Sequence, residues 1–173
     1  MTPVSSSTFW GVVLAIHLIS MAAWVGGMIY ALVVVRPALA VLDPAPRMQV
    51  HLITLKRFFL VVWHAVAGSI LTGYAMIVFA YGGFAHLHWS INVMNLLGLV
   101  MAGVFLFLFF GPYRKLRRAI RPTPELLGRV RTLVTVNLVL GLAVIVVAAV
   151  GAGLPAIGPV SYTHLTLPTI YSV

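Results

Sequence analysis

The amino-acid sequence predicts an all-α fold, a transmembrane four-helix bundle whose helices run up-down-up-down. Of its 173 residues, 62% are hydrophobic and only 8% are charged, whereas a soluble domain carries about a quarter charged residues. Three long segments, residues 1–35, 58–113 and 132–173, contain no Asp, Glu, Lys or Arg. This composition excludes a water-soluble enzyme. The sequence has no Cys and only two acidic residues. It therefore lacks the residues needed for disulfide bonds, thiol chemistry or catalysis by paired carboxylates.

The uncharged segments divide into four predicted spans. A helix that crosses the hydrocarbon layer needs about 20 apolar residues, so the first and third segments hold one span each. The second is too long for one helix, and Gly82-Gly83 with the polar residues 86–90 interrupts it. We expect the first and third spans to end at Arg36-Pro37 and Gly111-Pro112, because proline disfavours helical geometry in the preceding residue. Residues 38–49 are expected to form a short polar connection. The predicted spans are residues 9–35, 58–81, 90–111 and 132–151.

The positive charges predict the orientation of the bundle. All 11 Lys and Arg residues lie in two segments, 36–57 and 114–131, which connect the first span to the second and the third to the fourth. Alternating spans put both segments on one side, and positive charge marks the cytoplasmic side of a bacterial inner membrane. Both chain termini then face outward. The net charge of +9 therefore indicates a lipid bilayer as partner and no nucleic acid.

The last residues of the chain depart from this pattern. The run VSYTHLTLPT at residues 160–169 is rich in Thr and has no helical period. It resembles the translation of a sequencing adapter read into the open reading frame, so we expect residues 160–173 to be an artefact. The expected membrane domain is therefore residues 1–159.

A histidine and several methionines are the candidate metal ligands. Polar or ligating side chains inside a membrane are costly and mark functional sites. His17 and Met21 are one turn apart on one face of the first span, and Met94 and Met101 lie in the third span. Imidazole and thioether groups are ligands for Cu(I), so these four residues predict a copper site. Ordinary core packing is the alternative, since methionine commonly fills irregular gaps.

Three further histidines have candidate roles. His86 and His88 are two residues apart beside the outer loop, where we expect them to collect a cation. His17 and His64 are the candidate ligands of haem b, which is the alternative cofactor. Their expected depths differ by ~13 Å, too far for the two axial positions of one haem. A hydrogen bond between His64 and Asn137 is an equally good explanation of His64.

Several of these residues also carry a family resemblance. The run HLISMAAWVGG at residues 17–27 resembles the first helix of CopD-like (copper-resistance D) membrane proteins, in which a His precedes Trp-x-Gly-Gly. Further similarities cover about residues 9–151. They include Arg36-Pro37, Thr72-Gly73-Tyr74, Gly111-Pro112-Tyr113-Arg114 and the run NLVLG at residues 137–141.

The resemblance implies an inner-membrane bundle that binds or translocates copper, in a small four-span form. Four short helices enclose little pathway, so a homodimer is the expected assembly for transport. A looser similarity to HemJ-type protoporphyrinogen oxidases keeps a b-type haem redox protein as the alternative. A non-catalytic assembly subunit is the third interpretation. The sequence contains no nucleophile–base pair of the kind that would predict an enzyme.

Overall fold

The structure is a computed structural model that describes residues 3–85, 87–119 and 123–152. Every regular element in these ranges is helical, which confirms the predicted all-α fold. The expected artefact at residues 160–173 lies outside them. Within the described ranges, four helices are long and apolar enough to cross a membrane: α1 (Ser7–Val41), α2 (Pro44–Ala80), α3 (Trp89–Arg118) and α4 (Pro124–Gly151).

The four helices pack as two hairpins. The main contacts join α1 to α2 and α3 to α4, and smaller contacts between α1 and α4 help to join the two hairpins. The connection between α2 and α3 contains the predicted break. Gly82 and Gly83 have φ values of 73° and 103°, a region that glycine enters without steric cost. The Gly83 N–H donates to the Ile77 carbonyl at 2.9 Å and closes the end of α2.

The prediction that proline ends the first and third helices is wrong. The helical chain continues through Arg36-Pro37 and through Gly111-Pro112, and at both places a wider π-type turn is present. These turns are Tyr30–Val35, which leads into Arg36-Pro37, and Phe109–Tyr113, which contains Pro112. Proline lacks an N–H and its ring crowds the carbonyl four residues back. A wider turn moves that carbonyl away and lets the helix continue.

The helices also begin earlier than hydropathy predicts. Asp43 and Thr123 stand at the N-cap positions of α2 and α4, and each is followed by a proline in the first helical turn. Arg47 folds back on the α1–α2 connection and donates to the carbonyls of Ala40 at 2.8 Å and Leu42 at 3.0 Å. Residues 38–49 are therefore largely helical and not the expected polar connection. Most of the basic residues lie on helical ends that extend past the apolar spans.

An aromatic cluster fills the half of the bundle nearest the positive charges, which we call the basic end. Phe59 of α2 is buried, and its ring centre lies 4.1 Å from Tyr113, 5.6 Å from Phe109 and 6.1 Å from Phe105 of α3. Trp63 packs edge-on against Phe105 at 5.2 Å. Close packing of this kind holds helices together where lipid removes the hydrophobic driving force. The opposite half, the uncharged end, is packed less completely and contains the candidate site.

Candidate functional site

His17 of α1 is held by the backbone and a hydroxyl group of α2. Its Nδ1 lies 3.0 Å from the Ser69 carbonyl oxygen and 3.0 Å from Thr72 Oγ1. The Thr72 hydroxyl donates its hydrogen to the Gly68 carbonyl at 2.6 Å. A carbonyl only accepts, so Nδ1 carries the proton and donates. We assign this tautomer from the bonding pattern, and it leaves Nε2 unprotonated.

Two glycines allow α1 to come this close to α2. A Cβ atom on Gly68 would lie 2.5 Å from the Ser20 hydroxyl oxygen, and one on Gly73 would lie 3.2 Å from His17 Cε1. Neither position has room for a side chain without displacement of a neighbour. Small residues at such contacts are typical of helices that pack in lipid. The glycines therefore set the helix separation at which the imidazole reaches the main chain of α2.

A cavity of about 340 Å³ opens beside His17 at the uncharged end. All four helices contribute to its wall, which is mostly apolar. Its sulfur-bearing residues are Met21 of α1, Met76 of α2 and Met94 of α3. Four of its polar residues are Ser69, Tyr74, Tyr81 and Asn95. One anchored imidazole and three methionines from different helices thus line the same cavity.

The structure brings together part of the predicted copper set. His17, Met21 and Met94 line the same cavity. Met101 does not line it, because it lies two helical turns from Met94 and is buried against Gly141 of α4. Sequence reasoning missed the anchor formed by Ser69 and Thr72. The available signal was their spacing of three residues, which places two hydrogen-bonding groups on one helix face beside Gly68 and Gly73.

The expected cation-collecting pair is only half described. His86 lies outside the described residues, so its relation to His88 stays a prediction. His88 is exposed at the start of α3, and its Nδ1 lies 2.9 Å from the Ser90 hydroxyl oxygen. It lies beside the membrane span, at the uncharged end of the bundle.

His64 is exposed on the surface of α2 and takes no part in the cavity. Its Nδ1 donates to the Leu60 carbonyl at 2.8 Å, one turn back on its own helix. The expected hydrogen bond from His64 to Asn137 is therefore absent, and Asn137 Oδ1 is buried with no partner among the described residues. Ser69, which anchors His17, is five residues or about 8 Å further along α2. Within one chain, His17 and His64 do not face a common haem.

Harder metal ligands are scarce in the described part of the chain. There, no three His, Cys, Asp or Glu side chains lie close enough together to share an ion. A metal in the cavity would therefore rely on imidazole and thioether groups. Both are neutral, which suits a soft monovalent ion better than a hard divalent one.

Comparison with known proteins identifies a matching family, but no individual protein matches. The family described as CopD, copper resistance protein D, matches residues 52–151, which is more than half of the chain. No curated protein and no solved structure matches the chain significantly. The matched segment begins at Leu52, after α1, so His17 and Met21 lie outside it. With its four apolar helices, the chain belongs to the CopD family of multi-pass membrane proteins.

Proposed function

We propose that this CopD-family protein takes up Cu(I) into the cavity beside His17 and passes it through the membrane domain. The observation that supports this most directly is the anchoring of His17. A metal-binding histidine nearly always donates its second ring N–H to a carbonyl or carboxylate, which fixes the ring and its tautomer. His17 has this arrangement: Nδ1 donates to the Ser69 carbonyl, and Nε2 has no hydrogen-bond partner among the described residues.

The donor set also favours copper in its monovalent state. Thioether groups select soft ions such as Cu(I), and imidazole also binds copper. A divalent ion in the same place would require a carboxylate to offset its charge, because unpaired charge in hydrocarbon is costly. The predicted spans contain no Asp or Glu at all. The cavity therefore suits an ion of single charge with neutral ligands, here as the transported substrate.

The distribution of charge supports an orientation of the cavity relative to the two sides of the membrane. We place the basic end on the cytoplasmic side of a bacterial inner membrane, following the excess of Lys and Arg in cytoplasmic segments. The cavity then opens towards the periplasm, with His88 and, from the sequence, His86 beside its entrance. A second copy of the chain would widen the path between helices, so we propose a homodimer as the transporting form.

Copper titration of the purified protein tests this proposal. The protein is purified in detergent, and Cu(I) is added without oxygen in competition with a coloured chelator. We expect His17→Ala to lower the affinity of the cavity site at least 10-fold, because an imidazole ligand is lost. His64→Ala is the matched control and leaves the affinity unchanged, since among the described residues His64 bonds to its own helix and does not line the cavity.

Two results would contradict the proposal. One is wild-type protein that takes up no Cu(I), and the other is equal binding by the wild type and His17→Ala. An absorption spectrum of protein from haem-replete cells identifies the haem alternative. A Soret band that is present in the wild type and lost in His17→Ala would assign His17 to haem b instead of copper.

A further inference from the structure

Two methionines from different helices approach a single glycine below the cavity. A Cβ atom built on Gly141 of α4 would lie 3.1 Å from the terminal methyl of Met101 on α3. It would lie 3.8 Å from the terminal methyl of Met28 on α1. The ends of both thioether side chains are thus within 4 Å of one point. Met101 is 0% and Met28 is 1% exposed, so both are sealed from lipid and water.

An unpaired polar atom lies about one helical turn from Gly141. Asn137 is one turn before Gly141 on the same face of α4, about 6 Å nearer the basic end. The residue is 2% exposed, and its Oδ1 has no hydrogen-bond partner among the described residues. Buried polar atoms in proteins are nearly always paired, and each exception calls for a cause. A bound cation that accepts electron density from Asn137 Oδ1 would explain why this oxygen has no hydrogen-bond partner.

The position of these three residues continues the cavity. Trp24 of α1 and Val144 of α4 line the inner part of the cavity wall. Met28 is one turn beyond Trp24, and Gly141 is one turn before Val144. Helices α1 and α4 run in opposite directions, so both steps lead away from the uncharged end. The methionine pair therefore lies between the cavity and the basic end.

We infer that Met28, Met101 and Asn137 form a second Cu(I) site, deeper in the bundle than His17. This inference rests on the proposed function and extends it from one binding site to two sites in sequence. Two thioether sulfurs are soft neutral donors of the kind that Cu(I) accepts. The Asn137 amide oxygen carries partial negative charge in a dry interior, where it stabilises a nearby cation strongly. A cation that leaves His17 thus meets a further stabilising position instead of bare hydrocarbon.

Copper stoichiometry separates the two sites. We expect the wild type to bind two equivalents of Cu(I) under competition with the chelator. Met28→Leu with Met101→Leu keeps the side-chain volume nearly constant and lowers the number to one. His17→Ala also lowers it to one, and the copper that remains has an X-ray absorption spectrum of sulfur ligation. Met48→Leu, near the start of α2, is the matched control and keeps two equivalents.

The outcomes distinguish failure of this inference from failure of the proposed function. Wild-type protein that binds no copper overturns both. One equivalent that is lost in His17→Ala and retained in the double methionine variant overturns the second site alone. If the double variant does not fold, as judged by thermal unfolding, the single variant Met101→Leu decides in the same way. Asn137→Leu is expected to lower the Cu(I) affinity of the second site about 10-fold. An unchanged affinity would show that Asn137 is not part of that site.

Discussion

The contact at Gly141 gives a quantitative test of the packing between the two hairpins. In Gly141→Ala the new methyl group would lie 2.8 Å from Val25 Cγ2, whereas carbon atoms pack at about 3.5–4.0 Å. Val25 is buried and β-branched, and such a side chain has essentially one rotamer in a helix. It cannot turn aside, so α1 and α4 have to separate by several tenths of an ångström. The terminal methyl of Met101, at 3.1 Å, moves more easily because methionine is flexible.

We expect Gly141→Ala to cost about 1–3 kcal/mol, the usual range for overpacking a well-filled core. For a chain of this size that lowers the unfolding temperature by about 2–12 °C, measured by thermal unfolding in detergent micelles. Gly103→Ala on α3 is the control, because a Cβ atom there meets nothing within 4 Å. We expect it to be neutral or to gain up to about 1 kcal/mol from helix propensity. Equal unfolding temperatures for the two variants would refute the close approach of α1 and α4.

Three further predictions test the anchor, the aromatic cluster and the orientation. Thr72→Val removes a partner of His17 Nδ1 and should weaken Cu(I) binding at least 10-fold in the chelator competition, whereas Thr72→Ser should not; equal affinities would contradict the anchor. Phe59→Ala should destabilise the protein by about 3–5 kcal/mol, read as a lower unfolding temperature. Because the chain has no Cys, Ala85→Cys should react with an impermeant maleimide in intact cells and Ala45→Cys only after permeabilisation; the reverse pattern would invert the proposed orientation.

The fold could be predicted from the sequence because the bilayer restricts the choices so strongly. Uncharged segments of the right length and a break at Gly82-Gly83 are enough to give four helices. The helix ends were not predicted, because hydropathy indicates where the chain leaves the hydrocarbon layer of the membrane. It does not indicate where the backbone hydrogen bonds of a helix end. The signals that set the true starts, Asp43-Pro44 and Thr123-Pro124, are short cap patterns. A third π-type turn, Met76–Ala80, contains no proline. The two π-type turns at the proline positions depend on how neighbouring helices accommodate a proline ring, which a local rule does not contain.

The candidate site was predictable in part, for a comparable reason. The spacing of His17 and Met21 is a property of one helix, so the sequence contains it. The bond from His17 to Ser69 depends on the register between α1 and α2, which the contacts at Gly68 and Gly73 determine. Met94 and Met101 share one helix face, yet only Met94 lines the cavity. Their different environments depend on which parts of the bundle interior are closely packed, and this cannot be predicted from a single sequence.

Both proposed sites depend on α1, which lies outside the segment that matches the family. The matched residues 52–151 supply the Ser69 carbonyl, Met94, Met101 and Asn137, but α1 supplies His17 and Met28. Each proposed site thus combines ligands from the matched segment with one or more from the helix that precedes it. Neither site forms unless α1 docks on α2 and α4, and the close contacts that hold it there are made by glycines. Packing and the proposed copper binding therefore depend on the same few positions, so we expect a methyl group added at Gly141 to disturb both the helix interface and the proposed deeper site.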